Sequence, residues 1–396
     1  MTAAVRRFIL SPVARTLLRV VLRTWRIDKC DVCSVGAHKF GHLALEPLVG
    51  YLESRRRTTR GDNRRVLWTL GPRRTASNPV LHAMWCRNLK VYPRHLLGLA
   101  ISPRGPRLLP TTIYGTRNVL DSEIWRPQLT MSDREAGYRF LRDHGWDGRQ
   151  PLVGVVINEG LHYGSSWLKH ETEIAPDLRV LTFPVHEFEQ VVSELARRGV
   201  TVVRLGAPPA TALTSVEPGV IDYATADTRS AALDVILPGL MSRILSTQSG
   251  PDAVAMMFGV PITYIDVARL KYCFFDVATV HWRPAILRSS DGRSLGLQDL
   301  LDPEFVDLKT PEDFASRGIT VQRASTADRI ATAIEGLAIG SGNLVLDDRD
   351  RELQASVRRA FLHAQRRGVL SGRGEASAML SPDFLRTHGD WYLRGL

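Results

Sequence analysis

The second half of the chain alternates between short apolar runs and amphipathic segments, and this alternation limits the fold more than any other feature. Five runs are typical of strands: 151–157, 200–206, 220–224, 243–248 and 261–267. Three intervening segments are typical of helices: 184–199, 231–241 and 251–259. The run PLVGVVI at 151–157 is apolar without interruption, as a strand buried on both faces is. Strands that alternate with helices through short connections predict a parallel, doubly wound α/β sheet.

The first half of the chain is also predicted to be α/β. Strands are predicted at 30–36 and 64–71, and helices at 43–57, from Asn78-Pro79 onward and at 133–144. With 396 residues, the chain is too long for one ordinary core and fits two domains and a tail. The predicted divisions are a basic amphipathic helix at 1–27, Rossmann-like domains at 28–147 and 148–345, and a helical tail at 346–396.

The composition limits where the protein acts. No apolar stretch reaches the roughly 18 residues that a membrane span needs. Arginines interrupt every apolar run of the N-terminus, and no small-residue cleavage site follows, so we expect a cytoplasmic protein. Four cysteines are too few for a disulfide scaffold in a chain of this size. Cys30 and Cys33 lack further ligands at zinc-site spacing, so we interpret them as structural.

The formal net charge of +11 indicates an anionic partner, which could be nucleic acid, an anionic membrane or a phosphorylated substrate. No signature of a nucleic-acid-binding module accompanies the charge, so nucleic acid is not the favoured partner. Residues 4–26 combine an apolar side that includes Phe8, Leu17 and Trp25 with arginines at spacings of three and four. Such a segment suits the surface of an anionic membrane. The alternative is a helix that packs on the protein's own core.

The segment 246–252 is the strongest candidate for a ligand site. In open α/β sheets, ligands bind beyond the carboxyl ends of the strands. Here a buried strand ends in small and hydroxyl residues, and a helix follows. The N–H groups at the start of that helix, with the hydroxyls of Thr247 and Ser249, predict a diphosphate site that also includes Gly250 and Asp252. The alternative is a plain helix cap without a ligand.

Two further strand ends carry candidate residues. Arg204, followed by Gly206, could neutralise a leaving diphosphate without a metal, because a guanidinium is a fixed cationic donor. The alternative is a surface arginine. Asp222 and Tyr223 could hold a ribose or a base, or Asp222 could simply cap a turn.

Candidate acid–base groups occur in both halves. The loop 36–42 contains Lys39, Gly41 and His42, and His42 is a candidate general base. A histidine in a loop is more often structural. After the strand at 151–157, the candidates for an acceptor or base role are Glu159, His162 and Tyr163.

Several common catalytic motifs do not occur. No DxD-like pair follows a strand, and no P-loop, GxSxG or HExxH motif is present. Hydrolase and NTPase functions are therefore disfavoured, and we expect neither a metal nor a cofactor.

Several short motifs together resemble a bacterial family of glycosyltransferases that is associated with surface-polysaccharide genes. They are Gly41-His42-Leu43 with Glu46-Pro47, Arg204-x-Gly206, Ile221-Asp222-Tyr223, Ser249-Gly250, Phe258-Gly259-Val260-Pro261, Ser381-Pro382-x-Phe384-Leu385 and Trp391-x-Leu393. The family is distantly similar to GT-B fucosyltransferases and heptosyltransferases. The resemblance covers roughly residues 35–396. It implies a GT-B fold, in which two Rossmann-type domains face a cleft.

The chain departs from that family at two segments. Members carry an arginine and an acidic residue where this chain has Ile157-Asn158-Glu159-Gly160. They carry Tyr-Arg-Asn where this chain has Leu181-Thr182-Phe183-Pro184. If those basic residues bind the donor phosphates, Arg179 or Arg204 replaces them here, or activity is altered or lost.

These features predict a metal-independent glycosyltransferase. Its nucleotide-sugar donor would bind the C-terminal domain, and its glycan or lipid-linked acceptor would bind the N-terminal domain near Lys39 and His42. One alternative is a non-catalytic, nucleotide-sugar-binding or scaffold subunit of a polysaccharide assembly complex. Another is an RNA-binding protein, whose affinity would fall steeply with salt.

Overall fold

The computed structural model describes Thr16 and residues 30–62, 64–92, 107–108, 125–159, 182–206, 210–214, 217–270, 277–308, 310–370 and 377–396. The chain forms two compact units, Met1–Gly115 (unit 1) and Thr116–Leu396 (unit 2). The predicted helix at 4–26 lies outside the described residues, as do His162 and Tyr163. No helix in the described ranges is long and apolar enough to cross a membrane.

Unit 1 contains a parallel sheet of three strands in the order β2-β1-β3. Its elements are β1 (Cys30–Val35), α1 (Phe40–Thr59), β2 (Arg65–Leu70), α2 (Pro79–Asn88) and β3 (Arg107–Leu108). The register pairs Cys30 with Arg65 and Val35 with Leu70. Asn78 caps α2 by accepting hydrogen bonds from the amides of Val80 and Leu81.

Unit 2 contains a parallel sheet of seven strands in the order β12-β9-β8-β7-β4-β5-β6. The strands of the unit are β4 (Leu152–Val156), β5 (Thr201–Leu205), β6 (Val220–Asp222), β7 (Arg243–Ser246), β8 (Ile262–Val267), β9 (Val280–Pro284), β10 (Ile286–Arg288), β11 (Thr320–Gln322) and β12 (Met379–Leu380). β10 and β11 form a separate antiparallel pair. The α/β class and the parallel sheet are as predicted.

The described part of unit 2 has ten α-helices. They are α3 (Met131–Asp143), α4 (Glu189–Arg197), α5 (Leu233–Leu240), α6 (Gly250–Met257), α7 (Leu297–Leu300), α8 (Pro303–Val306), α9 (Pro311–Ser316), α10 (Thr326–Gly340), α11 (Asp348–Arg366) and α12 (Pro382–Tyr392). α10 packs on α4 and on the middle strands, whereas α5 packs on α3 and α6. The central strands are buried along their full length, because helices cover both faces of the sheet.

Two segments lie elsewhere in the fold than the predicted domain limits imply. Helix α3, which the sequence placed with the first domain, packs on α5 within unit 2. The segment from residue 346 onward supplies β12 to the main sheet, so it is an integral part of unit 2. The side chain of Gln354 fixes this strand by donating to the carbonyl of Leu380 at 2.5 Å and accepting from its amide at 3.3 Å.

Candidate functional site

The strand order of unit 2 reverses between β4 and β7. From β4 the chain continues to β5 and β6 on one side, and it then returns to place β7 on the other side of β4. Loops that leave two such neighbours diverge, and the crevice between them is the usual ligand site of an open α/β sheet. Here the amide of Asn158, after β4, donates to Oγ1 of Thr247, after β7, at 2.9 Å. The predicted diphosphate segment therefore lies at the switch point.

The turn between β7 and α6 is built around Asp252. Its carboxylate accepts from the hydroxyl of Ser246 at 2.7 Å and from the amide of Ser249 at 2.8 Å. Gln248 has a φ of +66°, a left-handed conformation that is uncommon for a residue with a side chain. Burial raises the pKa of Asp252 to about 6. The turn is thus a capped helix start, and the cap uses some of the donors that a diphosphate would need.

The side chain of Arg204 lies in a buried ion cluster at the carboxyl ends of β4, β5 and β6. One guanidinium nitrogen donates to Glu159. Another donates to Asp222 at 3.0 Å and to the carbonyl of Thr211 at 2.6 Å. The second oxygen of Glu159 accepts from the amide of Thr211 at 2.9 Å. Only 1% of the Arg204 side chain is exposed.

This cluster changes the predicted roles of its members. Arg204 is neutralised by two carboxylates, so it joins three strand ends and does not present a cation to a diphosphate. Glu159 is engaged by Arg204 and is therefore not positioned as a free base. Asp222 binds this cluster and the amide of Leu213 at 3.1 Å, so it holds the loop after β5.

Gly206 and Tyr223 have packing roles. A Cβ atom at Gly206 would lie 3.0 Å from the Cβ of Ala224, a tight contact, so the close approach of the two loops favours a glycine. The ring of Tyr223 is 1% exposed and meets Phe140 edge-on at 5.4 Å. Its hydroxyl donates to Asp234 at 2.7 Å, and burial raises its pKa. The predicted contact of Tyr223 with a ribose or base is therefore replaced by core packing.

In unit 1, His42 pairs with Glu46 one turn later on α1. Nδ1 of His42 lies 2.7 Å from Oε1 of Glu46, while Oε2 of Glu46 accepts from the amide of Gly36 at 3.1 Å. A carboxylate can only accept, so the hydrogen-bond network assigns the proton to Nδ1 and leaves Nε2 as an acceptor. The His42 side chain is 33% exposed. Lys39 is exposed just before α1, and Gly41 is in its first turn.

Glu46 was not among the residues predicted to act in the site. The i, i+4 spacing of His42 and Glu46 on a predicted helix was the available signal, because residues four apart lie on one helix face. The hydrogen bond from the amide of Gly36 to Glu46 is a tertiary contact, which the sequence spacing does not predict.

Sequence reasoning also missed a cavity of about 140 Å³ at the carboxyl end of β9. It is lined by Arg283, Pro284, Ile286, Gln322, Arg323, Ala324, Ser325, Asp328 and Phe384. Both of its arginines are neutralised: Arg283 bridges Asp328 and Asp383, while Arg323 pairs with Glu187. In the described ranges, no group of three His, Cys, Asp or Glu side chains could hold a metal ion.

The fold and this site define an α/β protein with a doubly wound parallel sheet and a cluster of polar residues at its switch point. No protein-family profile and no curated protein matches the chain. Two solved structures are distantly similar to it. A family 9 glycosyl transferase from Veillonella parvula has 14% identity and a TM-score of 0.37, covering 60% of this chain and 81% of its own. The ADP-heptose LPS heptosyltransferase II of E. coli has 13% identity and a TM-score of 0.36, covering 64% and 85%.

Proposed function

We propose that the chain is a glycosyltransferase of the GT-B type that moves a sugar from a nucleotide-sugar to a glycan or lipid-linked acceptor. The observation that carries the proposal is the switch point of the sheet, where Asn158, Thr247 and the start of α6 meet. The small-residue motifs of the sequence fall at this switch point, which is where an α/β sheet binds nucleotides. In this proposal the protein needs no metal and no cofactor, and it works in surface-polysaccharide or glycolipid synthesis at the cytoplasmic side of a membrane.

The donor diphosphate would lie against Ser249 and Gly250 at the start of α6. Main-chain N–H groups and the helix dipole favour an anion there. Thr247 is 1% exposed and its hydroxyl accepts from the amide of Asn158, so it would hold the loop after β4 in place beside the diphosphate. Arg204 and Glu159 contribute indirectly, because their pair joins the ends of β4 and β5 on one side of the switch point.

His42 would act as the general base on the acceptor hydroxyl. Glu46 holds the imidazole with Nδ1 protonated, so Nε2 is available to take the hydroxyl proton as the glycosidic bond forms. Negative charge develops on the diphosphate as its bond to the sugar breaks, and the hydrogen-bond donors of the α6 turn stabilise this charge. Glu46 is thus a positioning residue for His42.

Titration with a panel of nucleoside diphosphates and nucleotide-sugars tests the donor site. We expect one nucleotide class to bind, and Thr247→Val to weaken its binding by about 10-fold, because the amide of Asn158 loses its acceptor and the loop beside the diphosphate is no longer held. Thr247→Ser keeps the hydroxyl and should bind nearly as wild type does. Thr228→Val, at an exposed threonine, is the matched control. Equal affinity in wild type and Thr247→Val would exclude the proposed donor site.

Measurement of the transfer rate tests the role of His42 as the general base. His42→Ala should lower the transfer rate by about 100-fold or more while donor affinity stays unchanged. Glu46→Gln can donate its amide to Nδ1 and so favour the wrong tautomer, whereas Glu46→Asp should recover part of the rate. A full transfer rate in His42→Ala would remove this residue from the mechanism.

A second candidate function is a non-catalytic, nucleotide-sugar-binding subunit. Its support is the closed state of the Glu159–Arg204–Asp222 cluster, in which every charged group has a partner within the protein. This function predicts tight binding of a nucleotide-sugar without hydrolysis or transfer.

A further inference from the structure

One end of unit 1 carries a dense group of arginines, which we name the arginine face. The group lies where α1 ends and β2 begins. Its members are Arg55, Arg56, Arg57, Arg60, Arg64 and Arg65.

A buried carboxylate holds this end together. Asp31, on β1, accepts from Nη1 of Arg57 at 3.1 Å and from Nε of Arg64 at 2.9 Å. Nη2 of Arg64 also donates to the carbonyl of Cys30 at 2.8 Å. These bonds tie the end of α1 and the start of β2 to the first residues of β1. The arginines therefore lie together at the amino edge of the sheet, opposite the edge that carries His42.

The face keeps a positive charge after its internal pairs are counted. Six arginines are accompanied by three carboxylates, Asp31, Glu53 and Asp62, which leaves a net charge of +3. In the described part of the chain, Arg55, Arg60 and Arg65 are exposed and take part in no ion pair. Arg57 and Arg64 are paired with Asp31. Arg55, Arg60 and Arg65 are therefore the cations available to an outside partner.

We propose that the arginine face docks on an anionic lipid bilayer. Guanidinium groups match the phosphate oxygens of lipid headgroups in charge and geometry. β1 begins at this face, so the sequence that precedes Cys30 enters unit 1 here. That sequence includes residues 4–26, whose apolar pattern with Phe8, Leu17 and Trp25 suits hydrocarbon, which a nucleic acid does not offer. The inference deepens the proposed function, on whose membrane location it rests, by naming the surface that docks.

Sedimentation of the full chain with vesicles tests the proposal. The vesicles contain phosphatidylglycerol and phosphatidylcholine at low salt, and phosphatidylcholine alone serves as the neutral comparison. Each arginine at such a surface strengthens binding about five-fold, so the triple variant Arg55→Gln, Arg60→Gln, Arg65→Gln should bind roughly 100-fold more weakly. The matched control neutralises Arg358, Arg366 and Arg367, three exposed arginines on or just after α11 in unit 2, and should bind as wild type does.

Three outcomes of the vesicle measurements would overturn the proposal. The wild-type chain fails to sediment with anionic vesicles, the two triple variants lose binding equally, or the Arg55, Arg60 and Arg65 variant binds as wild type does. A thermal melt of each variant verifies that it is folded. A binding measurement with single-stranded RNA completes the test. If the chain binds RNA more tightly than vesicles, and this binding depends on Arg55, Arg60 and Arg65, the face is assigned to nucleic acid. Nucleotide-sugar turnover is measured separately, so loss of docking and loss of transfer are distinguishable.

Discussion

Arg204 lies between two carboxylates and a carbonyl group and has almost no contact with solvent. Burying three charges is costly, and such a cluster is stable only when every member is paired. Its effect is to join the ends of β4, β5 and β6 through side chains. The crevice at β4 and β7 therefore has one wall fixed by ion pairs.

Replacing Arg204 should destabilise the protein strongly. Arg204→Met leaves Glu159 and Asp222 buried without a cation, and removal of one partner from such a pair costs about 3–5 kcal/mol. Arg198→Met, in an exposed pair with Glu194, should cost about 1 kcal/mol or less. Urea unfolding followed by circular dichroism compares the two. Equal losses would mean that the cluster is not a stabilising link.

Asp252 should make the stability depend on pH. Burial raises its pKa from 3.8 to about 6, so the folded chain binds this proton more tightly than the unfolded chain. Its stabilising contribution is complete at low pH and is lost as the pH rises from about 4 to about 6. The contribution is about 3 kcal/mol. Subtracting the unfolding profile of Asp252→Asn from that of wild type isolates this group, and a flat difference across the window would contradict the assignment.

At the scale of elements, the junction of α3 and α5 shows how glycine permits close packing of helices. A Cβ atom at Gly137 would lie 2.4 Å from Cδ1 of Leu240 and 2.7 Å from Cγ2 of Ile236. Real side chains do not approach so closely, so α3 can rest on α5 only because this position has none. The same contact explains why α3 belongs to unit 2.

Gly137→Ala should therefore destabilise the protein by about 1–3 kcal/mol through overpacking. The matched change is Gly389→Ala on α12, where the new Cβ would have ordinary contacts at 3.4 and 3.8 Å with Leu353. That variant should gain up to about 1 kcal/mol, because alanine is the better helix former. Urea midpoints measure both changes, and a stabilising Gly137→Ala would show that α3 does not pack as described.

At the scale of the whole molecule, the C-terminal segment closes the main sheet. β12 pairs with β9, and Glu335 on α10 accepts from the hydroxyl of Ser381 at 2.5 Å and from the amide of Asp383 at 2.6 Å. The ring of Trp282 is fully buried and meets Phe361 on α11 at 6.0 Å. The segment is thus part of the core of unit 2.

A chain that ends at Leu346 should lose its cooperative unfolding transition. The deletion removes β12, α11 and α12, exposes the edge of β9 and takes away the partners of Glu335 and Trp282. A chain that ends at Leu393 loses only three terminal residues and should melt within about 1 °C of wild type. Calorimetry compares the two, and a normal transition in the shorter chain would show that the segment is dispensable.

The sequence predicts β4 to β8 well, because unbroken apolar runs and short connections leave few alternatives, but it does not predict β9 to β12. It also predicts that the turn before α6 lies at the carboxyl edge of the sheet. It does not predict how Arg204 is used, because an arginine at a strand end looks the same whether it faces a ligand or two buried carboxylates. The place of α3 was missed for a similar reason: a helical period shows which face is apolar and not which neighbour covers it.

Helix α1 sets the distance between His42 and the arginine face in unit 1. His42 is near its start and Arg60 caps its end, and 18 residues at about 1.5 Å each separate them by roughly 27 Å. If α1 is perpendicular to the membrane, a bilayer that touches Arg60 would leave the imidazole of His42 at about that height above the headgroups. A sugar attached directly to a lipid phosphate would then be out of reach. The natural acceptor is accordingly expected to be a grown chain whose far end stands clear of the membrane, and transfer should rise as synthetic acceptors are lengthened.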